Sequence, residues 1–228
     1  MAQVLMVVTG ADSITLADGS AHATGFWVEE LVELHRGLTT AGHRVDISTP
    51  NGVRPTADPG SLEGEASADW RVYLASLDDE LARPRVLADI RAGEYDAIVL
   101  PGGHGPMVDL AHDADLGRLL VDAADRDAVV GVLCHGPAGL LSAVRPDGTF
   151  AFAGRRIAVF TDDEERQGGL GESSPYLVES SLRGLGVVVE PGEPWSSTVV
   201  ADGTLISGQN PQSSLATAAR LVQELAER

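Results

Sequence analysis

One stretch of the chain constrains the fold more than any other: residues 128–141, with the sequence AVVGVLCHGPAGLL. Its apolar, mostly β-branched run from Val129 to Leu133 is typical of a buried strand. The chain then turns through CHGP at residues 134–137, and Pro137 suits the first turn of a helix, where its missing N–H costs no hydrogen bond. The pattern therefore predicts a sharp strand-to-helix corner with Cys134 at its tip, which is the geometry of a nucleophile elbow.

The position of Cys134 predicts a reactive thiol. The free N–H groups and partial positive charge of a helix N-terminus stabilise a thiolate, and such thiols can have a pKa of roughly 3.5–7.5 instead of about 8.5. The alternative is an inert cysteine at a strand end, because free cysteines are among the most buried residues. The adjacent His135 and the Gly-Pro turn favour the nucleophile.

The N-terminal residues have the pattern of a βαβ unit. Apolar runs over Val4–Val8 and Val45–Ser48 predict strands, and the helical spacing between them starts at Thr24 or Gly25 and ends near Thr40. Such units predict a parallel sheet covered by helices.

Taken as a whole, residues 1–228 predict one α/β domain, with a doubly wound, mostly parallel sheet flanked by helices. Residues 11–24 are expected to form a loop, and residues 54–93 a helical insertion. Further strands are predicted at Tyr95–Leu100, Val129–Leu133, Ile157–Phe160, Val187–Glu190, Thr198–Ala201 and Thr204–Ser207, and further helices at Asp113–Asp125, Pro175–Leu185 and Pro211–Leu225.

A glutamate lies on the apolar face of the first predicted helix. Phe26, Glu30, Leu34 and Leu38 are spaced four apart and therefore share one face. Burying an unpaired carboxylate is costly, so Glu30 either caps the preceding loop or points into a pocket above the sheet. In the second interpretation, which we favour, burial raises its pKa and makes it suitable for proton transfer.

A second corner, PGGHGP at residues 101–106, follows the predicted strand Tyr95–Leu100. Glycines let the backbone approach a ligand closely, and turned N–H groups can form an oxyanion hole. A plain glycine-rich turn is the alternative. Ligands of open α/β sheets bind beyond the carboxyl ends of the strands, so two such corners predict a pocket with His104 at its edge.

Two polar residues follow the predicted strand Ile157–Phe160. Thr161 and Asp162 are expected at the mouth of the pocket because they come directly after the strand's carboxyl end. The acidic run that continues through Glu165 is also typical of a solvated helix start.

The six histidines show no metal-ligand spacing. His104 and His112, together with Asp109 and Asp113, straddle a loop and a helix start. We therefore expect no metal site.

The composition narrows the partners and the compartment. Sixteen basic and thirty-four acidic residues give a net charge of −18, which opposes binding to nucleic acid or to an anionic membrane. A single cysteine permits no internal disulfide and suits a reducing cytoplasm. The N-terminus has no signal-peptide pattern and no apolar run has membrane-spanning length, so a cytoplasmic protein is expected.

Taken together, these motifs resemble the ThiJ/PfpI superfamily, whose flavodoxin-like fold is shared with class I glutamine amidotransferases. TGFWVEE at residues 24–30, GEPW at residues 192–195 and TLISGQNP at residues 204–211 are similar to the branch that includes glyoxalase III and related stress chaperones. The resemblance covers nearly the whole chain and is weakest over residues 54–93.

The resemblance implies a role for several residues. Cys134 matches the family's nucleophile, His135 its neighbouring histidine and Glu30 its acid. The backbone N–H groups of Gly103 and His135 match its oxyanion donors, and His104 lies beside them. The glutamate that amidotransferases carry two residues beyond their histidine is missing after His135, which speaks against glutamine hydrolysis. A homodimer is also implied.

The activity that the resemblance implies is a cofactor-free conversion of methylglyoxal, or a similar small-molecule carbonyl substrate, to a 2-hydroxy acid without glutathione. One alternative is a stress chaperone or a redox sensor in which Cys134 is oxidised. Another is a different cysteine-dependent lyase, hydratase or hydrolase, because one fold can carry several chemistries.

Overall fold

The computed structural model describes residues 1–65, 67–168 and 170–228. The strands of this part of the chain are β1 (Gln3–Val7), β2 (Ser13–Thr15), β3 (Ala21–Ala23), β4 (Arg44–Thr49), β5 (Arg85–Val86), β6 (Ala97–Leu100), β7 (Val129–Leu133), β8 (Arg156–Ile157), β9 (Val188–Val189), β10 (Val199–Asp202) and β11 (Leu205–Gly208). The α-helices are α1 (Val28–Thr40), α2 (Ser67–Ser76), α3 (Asp78–Ala82), α4 (Ala114–Asp125), α5 (Asp162–Gly168), α6 (Val178–Gly184) and α7 (Ser214–Ala226).

Seven strands form one central sheet in the order β10-β11-β7-β6-β1-β4-β5. Neighbouring strands are parallel except β10 and β11, which form an antiparallel hairpin. The inner strands β1, β6 and β7 are almost entirely buried, as expected for parallel strands covered on both faces. The predicted α/β, mostly parallel architecture is confirmed.

Side chains of β1 alternate between two apolar cores. Leu5 and Val7 belong to the core that includes Leu116 of α4. Val4 and Met6 belong to the other core, which includes Leu31 of α1 and residues of α7. Because successive side chains of a strand point to opposite faces, the helices cover both sides of the sheet.

Helix α1 begins at Val28, later than the predicted start at Thr24 or Gly25. The residues before it are extended and tied to neighbouring chain segments: Phe26 N–H donates to Thr56 O and Trp27 N–H to Gly102 O, both at 3.0 Å. These tertiary hydrogen bonds compete with a helical turn. The later start leaves Glu30 in the first turn of α1.

Several predicted elements are shorter or different in the structure. The segment after Cys134 is a 3₁₀ helix over Gly136–Ser142 rather than an α-helix. The predicted strand Ile157–Phe160 contributes only β8, because Phe160 N–H donates to Cys134 O at 3.0 Å instead of pairing with a strand. The predicted loop at residues 11–24 contains the β2–β3 hairpin.

The least regular segment, residues 54–93, contains α2, α3 and the edge strand β5 in its described part. Strand β5 pairs in parallel with β4, so the end of this segment completes the central sheet. Among the described residues, no helix combines the length and the apolar composition that crossing a membrane requires.

Candidate functional site

The corner predicted at the end of β7 holds Cys134 in a rare backbone conformation. Its φ is +58°, in the left-handed region that residues other than glycine seldom adopt. Gly136 makes the corner possible, because a Cβ at this position would lie 2.2 Å from Leu100 O at the end of β6. Backbone strain of this kind concentrates at functional sites, and here it lifts Cys134 above the carboxyl end of the sheet.

His135 links the cysteine to a carboxylate. Its Nδ1 lies 3.3 Å from Cys134 Sγ, and its Nε2 lies 2.5 Å from Glu165 Oε2. A charged carboxylate only accepts hydrogen bonds, so Nε2 carries the ring proton and Nδ1 presents its lone pair to the thiol. Burial and the neighbouring His104 lower the pKa of His135, which keeps the imidazole neutral. The arrangement is a Cys–His–Glu triad.

The sequence analysis missed the triad carboxylate Glu165, and from this part of the chain it singled out Thr161 and Asp162 as residues at the mouth of the pocket. Thr161 caps α5, since its N–H and hydroxyl both bond Glu164 Oε2 at 2.9 Å. Asp162 faces α6, where its Oδ2 accepts from Ser180 Oγ at 2.5 Å. The T-x-x-E capping pattern of residues 161–164 was the available signal, because it commits Glu164 to the cap and leaves Glu165 free to face the pocket.

Glu165 holds two histidines at once. His104 Nε2 lies 2.9 Å from Glu165 Oε1, while His135 bonds the other oxygen. The two imidazole rings are 4.2 Å apart between centroids. Burial alone raises the pKa of a carboxyl group, but the electrostatic interaction with His135 and hydrogen bonds from both histidines hold the pKa of Glu165 far below its usual value. Glu165 is therefore charged, and it fixes the orientation and tautomer of both rings.

Glu30 approaches the same cysteine from α1. Its side chain is fully buried, and its Oε2 accepts from Gly102 N–H at 2.7 Å. Its Oε1 has no hydrogen-bond partner among the described residues. Burial raises the pKa of Glu30 to about 8, although the Gly102 N–H and the nearby Cys134 thiol oppose this rise. The carboxyl group is therefore mostly neutral near pH 7 and has one oxygen free for a ligand.

The expectation of a low thiol pKa was wrong. Burial and the facing Glu30 carboxylate raise the pKa of Cys134 well above its usual value, and the N–H groups of Gly103 and His135 only partly offset this. The turn beneath the thiol is a 3₁₀ helix of seven residues, and its partial charge does not compensate for a side chain that is only 4% exposed. The resting site holds a thiol, so a base must take its proton.

The two glycine-bearing corners meet as the sequence predicts. Gly103 has φ +86°, and a Cβ there would lie 2.3 Å from Gly25 O. This close approach packs residues 101–104 against the segment before α1, and it brings the Gly103 N–H to the Cys134 sulfur. The backbone donors predicted at Gly103 and His135 thus both reach the thiol.

One potential metal-binding group is found among the described residues. It consists of His104, His135 and Glu165, whose ligand atoms lie within 4.8 Å of one another. These three side chains already satisfy each other by hydrogen bonds, so we assign His135 and Glu165 to the triad and His104 to a supporting contact with Glu165. Of the acidic residues considered in the sequence analysis, Asp109 accepts a hydrogen bond from Thr9 after β1, and Asp113 caps the N-terminus of α4.

Comparison with known proteins agrees with this geometry. The profile of the DJ-1/PfpI family matches residues 22–151. The chain belongs to this family. The match includes both glycine corners, Glu30 and Cys134, and it confirms the resemblance drawn from the motifs.

Several relatives align over most of the chain. Glyoxalase 3 from Candida albicans is 26% identical over 96% of each chain. The crystal structure of glyoxalase III from that organism has a TM-score of 0.83, 25% identity and coverage of 97% of this chain and 96% of the other. Protein/nucleic acid deglycase HchA from Pseudomonas aeruginosa is 30% identical and covers 93% of this chain and 77% of its own length. Rapid Encystment Protein 24 kDa from Francisella tularensis has a TM-score of 0.90, with 30% identity over 99% of each chain.

Proposed function

We propose that this chain is a cysteine-dependent, glutathione-independent enzyme that converts methylglyoxal, or a similar small 2-oxoaldehyde, to the 2-hydroxy acid. The observation that carries the proposal is the pair of carboxyl groups around Cys134: a charged Glu165 behind His135 and a neutral Glu30 with a free oxygen. Because the surroundings shift the pKa values of these two carboxyl groups in opposite directions, one can orient the base His135 while the other acts as the acid in the same reaction.

In the first step the Cys134 thiol adds to the aldehyde carbon. His135 Nδ1 takes the thiol proton as the carbon–sulfur bond forms. The N–H groups of Gly103 and His135 hold the former aldehyde oxygen while it carries negative charge. The imidazolium then protonates this oxygen, which gives a neutral hemithioacetal and returns His135 to its neutral form.

In the second step the hemithioacetal carbon loses its hydrogen as a proton to His135 Nδ1, and Glu30 gives its proton to the adjacent ketone oxygen. The resulting enediol remains bound to sulfur. The imidazolium then protonates the former ketone carbon, while the Glu30 carboxylate takes the proton of the hemithioacetal hydroxyl. One carbon is oxidised and its neighbour reduced, so the thioester forms without an external oxidant or reductant.

In the last step water hydrolyses the thioester. His135 takes a proton from the attacking water, the carbon–sulfur bond breaks, and the sulfur recovers its proton from the imidazolium. The overall reaction adds one water to methylglyoxal and gives lactate. This balance needs no nucleotide, redox cofactor or glutathione.

Burial of the site favours a small free substrate. Cys134 is 4% exposed and His135 is 2% exposed, so a reactive group attached to a large macromolecular surface has little access to the sulfur. The relative named as a protein/nucleic acid deglycase makes such adducts the second candidate substrate. A homodimer in the cytoplasm remains the proposed assembly and location.

The experiment is lactate formation from methylglyoxal, without glutathione or added metal, by the wild-type protein and by Cys134→Ala. We expect turnover by the wild type and none by Cys134→Ala, with the two proteins melting at similar temperatures. Equal turnover by both variants contradicts the mechanism. If a wild-type protein with a reduced thiol shows no turnover, methylglyoxal is not its substrate. Glycated proteins, other carbonyl compounds, and the chaperone and redox-sensor alternatives would then be tested.

A further inference from the structure

Trp195 has a rare backbone conformation outside the triad. Its φ is +61°, a conformation that is strained for a bulky side chain. It lies in the segment between β9 and β10, and 38% of its surface is exposed. A side chain this exposed adds little to the apolar core, so core packing does not explain the strained backbone of Trp195.

An aromatic row connects Trp195 to the triad. The Trp195 ring meets Phe160 edge-on, with centroids 5.5 Å apart and planes at 73°. The Phe160 ring lies 4.4 Å from the His135 imidazole, with planes at 33°. Phe160 therefore covers one side of His135, and Trp195 covers Phe160 from the solvent side.

Hydrogen bonds hold Trp195 in its strained conformation. Its N–H donates to Glu164 Oε1 at 2.8 Å, and Asn210 Nδ2 donates to the same oxygen at 2.7 Å. Its indole Nε1 donates to Gln167 Oε1 at 2.7 Å. Glu164 directly precedes the triad carboxylate Glu165, so the first turns of α5 support both the triad and the aromatic row.

We propose that Trp195 is a positioning residue, which acts through Phe160 to hold the His135 imidazole against Cys134 and to keep water away from this pair. Glu164 fixes the backbone of Trp195 in the conformation that this contact requires. The inference rests on the proposed role of His135 in the reaction, but its effect on the thiol can be measured without substrate.

The test compares Trp195→Ala and Trp195→Phe with the wild type in two assays. The first is lactate formation from methylglyoxal, analysed as kcat and KM. The second is the rate of alkylation by iodoacetamide at pH 7, which reports on one site because Cys134 is the only cysteine. Trp70→Ala is the matched control: Trp70 is another partly buried tryptophan, and its indole donates to Glu33 on α1.

We expect Trp195→Ala to lower kcat about 10- to 100-fold with KM changed less than about threefold, because misplacing a catalytic group by about 1 Å has effects of this size. We expect the rate of Cys134 alkylation in this variant to rise at least about fivefold, because the missing indole lets the reagent and water reach the thiol. Trp195→Phe should restore most of both values, and Trp70→Ala should change neither.

A folded Trp195→Ala with kcat and alkylation rate within about twofold of the wild type would overturn the inference. So would equal changes in Trp70→Ala, which would indicate a general loss of stability. If Trp195→Ala does not fold, Phe160→Leu removes the ring contact with His135 and leaves the loop intact; the same two changes are then expected, and their absence overturns the proposal. A wild type without turnover contradicts the proposed function, while the alkylation assay still decides this inference.

Discussion

The first turns of α1 and α5 each bring a glutamate to the same cysteine–histidine pair, and they give it opposite properties. Glu30 on α1 is buried with one backbone donor, and its pKa rises to about 8. Glu165 on α5 is also buried, but it accepts from two histidines and its pKa falls. Burial alone therefore does not set the charge of a carboxyl group, because the hydrogen-bond donors around it also decide.

The difference divides the chemistry between the two regions. A charged Glu165 orients His135 as a base, whereas a neutral Glu30 is a proton donor whose Oε1 has no hydrogen-bond partner within residues 1–65, 67–168 and 170–228. The following predictions test this division, from the largest expected effect to the smallest.

Removing the charge at α5 should have the largest effect. In Glu165→Gln the amide can donate to His135 Nε2, which turns the ring tautomer so that Nδ1 carries the proton and cannot accept from Cys134. We expect kcat to fall about 10³- to 10⁴-fold, as for triads with the wrong tautomer. Steady-state kinetics measures this, with Asp163→Asn, an exposed carboxylate of the same helix, as the control. A loss below about tenfold would remove Glu165 from the triad.

Removing the acid at α1 should have a smaller effect. Glu30→Gln keeps the shape and the neutral state but cannot transfer a proton. We expect kcat to fall about 10²- to 10³-fold, the range of general acid–base catalysis. The iodoacetamide alkylation rate of Cys134 should rise, because the Glu30 carboxylate no longer raises the pKa of the thiol. Undiminished kcat would show that Glu30 only fills space.

The pH dependence of the wild type should reflect Glu30. Because Glu30 must carry a proton to act as an acid and its pKa is about 8, kcat/KM should be highest below that pH. Above it, the value should fall about tenfold per pH unit for one required proton. The residual activity of Glu30→Gln should lack this decline. A profile that declines identically in both proteins would assign the titration to another group.

The same pKa shift affects stability with a defined sign. Folding raises the pKa of Glu30 from 4.5 to about 8. Between these pH values the folded state binds more protons than the unfolded state, so the free energy of unfolding falls as the pH rises. At pH 8 the resulting loss in the free energy of unfolding is at most about 4 kcal/mol. Glu30→Gln should therefore have a higher melting temperature than the wild type at pH 8, and the difference in melting temperature should shrink toward pH 4.5. Thermal melts across this range check the sign, and a constant difference contradicts a buried neutral Glu30.

The sequence predicted the fold well where patterns are local. The β-branched runs of β1, β4, β6 and β7 gave the parallel sheet, because such runs suit strands covered on both faces. Boundaries failed where distant contacts compete with local preference. The start of α1 moved to Val28 because Phe26 and Trp27 bond to other segments, and Phe160 left its predicted strand to bond Cys134 O.

The sequence by itself determined the corner at Cys134, the adjacent His135 and a glutamate on the apolar face of α1, since each is a matter of spacing along one element. Only the tertiary structure decided what completes the site. Glu165 lies thirty positions beyond His135, in a run of acidic residues that spacing alone does not distinguish. The protonation of Glu30 and Cys134 was also decided there, because desolvation and hydrogen-bond donors come from residues distant in sequence.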